Sequence, residues 1–98
     1  MPPAYILTGV DFGAESFTAS WKRLSPDVQK EARKLIAEMI LCEKMPGKLH
    51  FHKLHGFKDV WTIHVTSDDK FKASFTIREK VAVMRLIGRH DWIDKNPE

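Results

Sequence analysis

The alternation of apolar and polar positions divides the chain into six elements. YILTGV, residues 5 to 10, is a short β-rich run closed by the turn-forming Asp11-Phe12-Gly13, and it predicts a first strand. Over residues 14 to 24, Phe17, Trp21 and Leu24 recur at helical spacing. Ser25-Pro26-Asp27 then opens a second helix. Ser25 can cap it, Pro26 has the φ angle and the missing N–H suited to the first position, and Asp27 complements the helix dipole. Val28, Ala32, Leu35, Ile36, Met39 and Ile40 form one apolar stripe along that helix, and Met45-Pro46-Gly47 ends it.

Three β-rich runs follow. In residues 60 to 67 Trp61, Ile63 and Val65 alternate with Thr62, His64 and Thr66, and Ser67-Asp68-Asp69-Lys70 reads as a hairpin turn. In the next run Phe71, Ala73, Phe75 and Ile77 oppose Lys72, Ser74, Thr76 and Arg78. After Arg78-Glu79-Lys80, the run VAVMRLIG is apolar on both faces, as expected of a central strand. The tail HDWIDKNPE is polar and predicts no regular structure beyond Pro97. The order β-α-α-β-β-β specifies an α+β fold in one domain spanning residues 1 to 98. Two N-terminal helices pack on one face of an antiparallel meander, and the opposite face, carrying Thr62, His64, Lys72 and Ser74, is left free.

Size and composition narrow the function classes. At 98 residues, 43% hydrophobic and 30% charged, the chain has an ordinary globular balance and can bury one modest core. No apolar run approaches the roughly 20 residues needed to span a membrane, and the N-terminus lacks a basic region ahead of its apolar run. The expectation is a cytoplasmic protein with no membrane partner. The lone Cys42 reads as a small buried hydrophobe rather than a disulfide partner. The formal charge of +3 is unevenly spread: residues 1 to 47 carry six basic and six acidic side chains, so the excess lies in the second half. Lys44, Lys48, Lys53 and Lys58 fall in a stretch without a carboxylate, which also holds the run HFHKLHG with His50, His52 and His55. Such a stripe suits a polyanion, because neutralising phosphates releases condensed counterions.

Five histidines invite a metal reading. There is, however, no Cys pair and no His-Glu-x-x-His helix, and the two histidines that would share a strand side, His50 and His52, have no evident third ligand nearby. The expectation is therefore no metal and no cofactor. Isolated glycines exclude a phosphate-cradling loop, and no nucleophile elbow is present. Metal-free RNA cleavage fits the inventory better. It needs a base for the 2′-hydroxyl, an acid for the departing 5′-oxygen and cations for the transition state, and histidines, an aspartate and lysines on one sheet face can supply them.

With these elements in place, the chain resembles the RelE/ParE superfamily of bacterial toxins, and within it the histidine-using, YafQ-like mRNA interferases. The resemblance rests on the element order, on His52-Lys53-Leu54 with Gly56, on His64-Val65-Thr66-Ser67-Asp68, and on the closing Gly88-Arg89-His90. It implies that His52, His64, Asp68 and His90 surround the scissile phosphate, with Asp68 or a histidine as base and His90 as acid. His50 is the register alternative to His52. RNA-binding roles fall to Lys48, His50, Lys53, Lys58, Lys72, Arg89 and Trp92, with Lys72 where relatives place an arginine and Trp92 as the aromatic able to stack on a base. The implied function is that of a toxin of a type II toxin-antitoxin pair, a ribosome-dependent mRNA endonuclease whose partners are a cognate antitoxin, the ribosome and mRNA. The alternative on the same fold is a ParE-like, non-enzymatic inhibitor of DNA gyrase, and a third reading is an inactive RNA-binding relative.

Overall fold

A computed structural model describes residues 7 to 41, 49 to 54, 56 to 57 and 59 to 96. Residues 1 to 6, Cys42, Lys48, His55 and Lys58 lie outside the described residues. The elements are β1 (Gly9–Asp11), α1 (Glu15–Lys22), α2 (Pro26–Leu41), β2 (His52–Lys53), β3 (Trp61–His64), β4 (Phe71–Arg78), β5 (Val81–Arg89) and α3 (His90–Lys95). Ser25 caps α2 as expected, its Oγ accepting from the Val28 N–H at 3.4 Å.

The sheet is mixed rather than antiparallel. Its order is β1-β5-β4-β3-β2, and β1 runs parallel to β5, with Gly9 opposite Val81. The β3-β4-β5 meander accounts for the antiparallel part. Two helices between β1 and the meander are long enough for a crossover, and a crossover permits parallel pairing that no hairpin allows. A two-residue strand, β2, extends the other edge by pairing with β3.

One face of this sheet carries the core. Phe17 of α1 and Ala32, Leu35, Ile36 and Met39 of α2 are buried with Ile63, Val65, Ala73, Phe75, Ala82, Met84 and Ile87. The shift from Ala82 and Met84 to Ile87 follows from a bulge. Ser74 pairs with Leu86 but Phe75 pairs with Met84, so Arg85 is the extra residue and side-chain alternation inverts beyond it. The disrupted ladder is repaired by α1. Ser16 Oγ donates to the Arg85 carbonyl at 2.7 Å, and Ser20 Oγ accepts from the Ile87 N–H at 3.1 Å. These two hydroxyls fix α1 on the strand.

The opposite face is not free. The tail folds into α3, which packs on β4 and β5 and buries Ile93 completely. Thr62, His64, Lys72 and Ser74 are all buried. A six-residue helix is too short to persist alone, so contacts must hold it. Trp92 lies directly against Gly88, where an added Cβ would come within 2.8 Å of the indole. Asp91 in the first turn and Lys95 in the last also match the helix dipole. The tail looked polar because Trp92 and Ile93 are its only large apolar residues, yet both sit where the strand leaves room.

Candidate functional site

Strand register brings the site together. His64 pairs with Lys72, and Lys72 pairs with Gly88, so these three positions form one row across β3, β4 and β5. Two residues beyond Gly88, His90 begins α3, its N–H donating to the Lys70 carbonyl at 2.8 Å. The His90 ring meets the His64 ring edge-on, with centroids 5.5 Å apart.

Each histidine has its own carboxylate. His64 Nδ1 lies 2.7 Å from Asp69 Oδ1, and His90 Nδ1 lies 3.1 Å from Asp94 Oδ2. A carboxylate can only accept, so the His64 Nδ1–H donates to Asp69 and the neutral ring keeps its lone pair on Nε2, while His90 and Asp94 stand at ion-pair distance. Asp94 also accepts from Lys72 Nζ at 2.9 Å through its other oxygen, tying the buried lysine to His90. Burial pushes the His64 pKa below its ordinary 6.5, and the charges of His50 and Lys72 act in the same direction, against the pull of Asp69. The hydrogen bond from His64 is the largest effect holding the Asp69 carboxyl below the usual carboxylate value.

His50 completes the group from the loop before β2. Leu49 is fully buried on one side of it, and on the other Phe51 stacks on Trp61 at 4.8 Å. Between these anchors His50 adopts φ 50°, in the left-handed region, and its ring stacks on His64 with centroids 4.5 Å apart. Asp69 is likewise left-handed at φ 60°. Left-handed backbone is uncommon outside glycine, and here it turns both side chains toward His64. The loop carrying Asp69 is held to α2 by the Ser67 N–H, which donates to Glu31 at 2.9 Å.

The structure distributes the expected residues unevenly. His64 and His90 come together, joined by His50 rather than His52. His52 sits exposed on β2, with Nδ1 2.8 Å from the His50 carbonyl and Nε2 3.4 Å from Thr62 Oγ1. Asp68 does not reach His64. Its Oδ1 accepts from Thr66 Oγ1 at 2.6 Å and the Lys70 N–H at 3.1 Å, a local turn that keeps its pKa low, chiefly through the Thr66 hydroxyl. Lys72 has a side chain only 4% exposed, so its charge acts from beneath the site rather than by open contact. Arg89 lies over Phe71 and, with Asp69, Lys70, His90 and Asp91, lines a cleft of about 350 Å³ beside the histidines. Trp92 keeps 40% of its surface exposed, and Lys53 is exposed on β2. Lys48 and Lys58 lie outside the described residues.

Two carboxylates, Asp69 and Asp94, were missed by sequence reasoning. Asp69 directly follows Asp68. Asp94 stands four residues after His90, a spacing that places both on one helix face once the tail is read as helical.

No family profile and no curated protein matches the chain. Among solved structures it is similar to a chain of the RelB-RelE antitoxin-toxin complex from Methanococcus jannaschii, with a TM-score of 0.64 and 16% identity over 83% of this chain and 92% of that one. At that identity the likeness is one of fold: this chain has the architecture found in that complex.

Proposed function

We propose that this protein is the toxin of a toxin-antitoxin pair and acts as an endoribonuclease on mRNA at the ribosome, by general acid-base catalysis that needs no metal. The observation that carries the reading is the pair of histidine-carboxylate couples, His64–Asp69 and His90–Asp94, set edge to edge with Lys72 beneath them. The fold shared with the RelB-RelE complex supports a toxin and an antitoxin partner.

In this mechanism His64 Nε2 takes the proton of the 2′-hydroxyl, and the resulting oxygen attacks the adjacent phosphorus. His90 acts as the imidazolium and gives its Nε2 proton to the departing 5′-oxygen, leaving a 2′,3′-cyclic phosphate, a free 5′-hydroxyl and a neutral His90 ring. Asp69 holds His64 in the tautomer with Nε2 free and Asp94 stabilises the His90 imidazolium, positioning roles rather than proton transfer. Lys72 and Arg89 supply positive potential for the phosphorane-like transition state. His50 and the exposed face of Trp92 contact the RNA, with Trp92 able to stack on a base, and Lys53 meets its backbone. An antitoxin would cover the helix side, where Val10, Phe12, Phe17, Trp21 and Ile36 line an apolar cleft of about 510 Å³ and Phe12 is half exposed.

The gyrase-inhibitor alternative uses neither couple. Mapping mRNA 5′ ends in cells expressing wild type, His64→Ala and His90→Ala separates the two. Ribosome-linked cuts are expected in wild type only, each substitution lowering cleavage by about 10²- to 10⁴-fold, the usual contribution of one acid or base. Asp69→Asn is expected to cost more than Asp68→Asn. Growth arrest with intact mRNA and a DNA-damage response would sink the nuclease reading.

A further inference from the structure

Along the chain no third ligand stands next to His50 and His52. In the folded chain the missing ligands arrive from β3 and its turn. His50, His64 and Asp69 each offer one donor atom, and the three atoms lie within 4.8 Å of one another. We infer that His50, His64 and Asp69 form a binding site for a divalent transition ion of the zinc class, and that the bound ion silences the active site it occupies.

The donor set selects the ion. Two imidazoles and one carboxylate suit Zn²⁺, Ni²⁺, Cu²⁺ and Co²⁺, whereas Mg²⁺ and Ca²⁺ require oxygen donors. Three protein ligands with a fourth position left to water is an established zinc arrangement. Zinc holds nitrogen and oxygen at about 2.0 to 2.2 Å, so tetrahedral donors stand about 3.3 to 3.6 Å apart: a pair at the 4.8 Å limit must close by up to about 1.5 Å, and His64 Nδ1 and Asp69 Oδ1, now at 2.7 Å, must open slightly. His64 is buried and fixed. His50 and Asp69 are exposed side chains and can make that adjustment by rotating. Asp69 already faces His64 Nδ1 at 2.7 Å, so the ion takes the place of the proton that now bridges them. Lys72, whose charge acts on His64, is paired with Asp94 at 2.9 Å, which offsets its repulsion of an incoming ion.

Metal binding stands on this geometry alone; its inhibitory consequence rests on the nuclease reading. An ion held by His64 and Asp69 would occupy the couple proposed to activate the 2′-hydroxyl, so ion and catalysis exclude one another.

The test uses the intact protein with Zn²⁺ in calorimetry and Co²⁺ in visible absorption, both without RNA. One equivalent of Zn²⁺ is expected to bind, with the ligand-field bands of low-coordinate Co²⁺. His50→Asn and Asp69→Asn suit the two left-handed positions, because asparagine tolerates that backbone, so folding is retained. Each should weaken Zn²⁺ binding by more than about tenfold, the least that loss of even an outer-shell partner causes, while His52→Ala should bind as wild type does. An absence of stoichiometric binding, or equal weakening by His52→Ala, overturns the site. In the cleavage assay Zn²⁺ should stop turnover in proportion to occupancy and a chelator should restore it, with Mg²⁺ without effect; cleavage that proceeds at full zinc occupancy overturns the inhibition. A protein that binds zinc but never cuts RNA would refute the nuclease reading and leave the metal site standing.

Discussion

Asp94→Ala is the sharpest probe of how the C-terminal helix supports the site. The carboxylate joins Lys72 Nζ at 2.9 Å and His90 Nδ1 at 3.1 Å, and the Lys72 side chain is 4% exposed while Asp94 is 33% exposed. Removing one partner of a fully buried ion pair costs about 3 to 5 kcal/mol, because the other charge is left without compensation. Asp94 is one-third open to water, and water can partly replace it, so the loss should fall toward the roughly 1.5 to 3 kcal/mol of a hydrogen bond to a charged group. For a domain of this size about 2 kcal/mol corresponds to a fall in Tm on the order of 10 °C. Urea unfolding gives the number directly, provided the slope m is unchanged. Lys72→Met supplies the control. If the penalty is the stranded ammonium, Asp94→Ala should cost much less in the Lys72→Met background, a coupling that a double-mutant cycle isolates. Equal costs in both backgrounds, or a neutral Asp94→Ala, would refute the account of a buried lysine held by α3. In the proposed mechanism cleavage should fall in Asp94→Ala as well, because the His90 imidazolium loses the carboxylate beside it.

Two further outcomes test the frame and the electrostatics. Gly88→Ala puts a methyl group within 2.8 Å of the Trp92 ring, so α3 must lift from β5; a cost of about 1 to 3 kcal/mol is expected for such overpacking, with a displaced Trp92 indole N–H resonance, and an unshifted resonance would contradict it. Burial holds the His64 pKa below its ordinary 6.5, so the unfolded chain binds the proton more readily. The associated stability is complete above that value and is lost as pH falls through the lower folded one. In chelator, the urea midpoint of wild type should therefore drop more steeply on acidification than that of His64→Gln, and parallel curves would exclude the effect.

Legibility in the sequence followed the range of the interactions involved. β4 falls where the alternation of Phe71, Ala73, Phe75 and Ile77 placed it, because one buried face prints a period of two on the chain. The start of α2 was equally plain, since capping is a matter of neighbours. What stayed hidden was set at long range or against the local pattern. The parallel pairing of β1 depends on where a crossover of two helices lands, and the bulge at Arg85 is stabilised by Ser16 and Ser20, nearly seventy residues earlier. α3 escaped notice because Gly88, which makes room for Trp92, belongs to a different element.

The site divides along the same line: the resemblance implies Asp68, while the fold sets Asp69 against His64. Counting along an extended strand and its turn assumes that successive side chains alternate smoothly. Asp69, at φ 60°, breaks that assumption and swings back to His64, while Asp68 closes the turn on Thr66 and Lys70. His50 does the same at φ 50°, which separates it from the side shared with His52. The other left-handed residues, Asp59 and the pair Glu79-Lys80, lie in turns, where Glu79-Lys80 forms the tight connection between β4 and β5. Backbone of this kind costs on the order of 1 kcal/mol or more per residue. At Glu79-Lys80 that cost closes a hairpin. Asp69 likewise stands in the turn between β3 and β4, its N–H donating to the Thr66 carbonyl at 3.3 Å, whereas His50 lies outside any hairpin and its left-handed backbone sets its ring on the buried His64. The backbone at His50 is therefore what joins its ring to His64 and Asp69, and His64 and Asp69 are the residues that the nuclease and zinc proposals share.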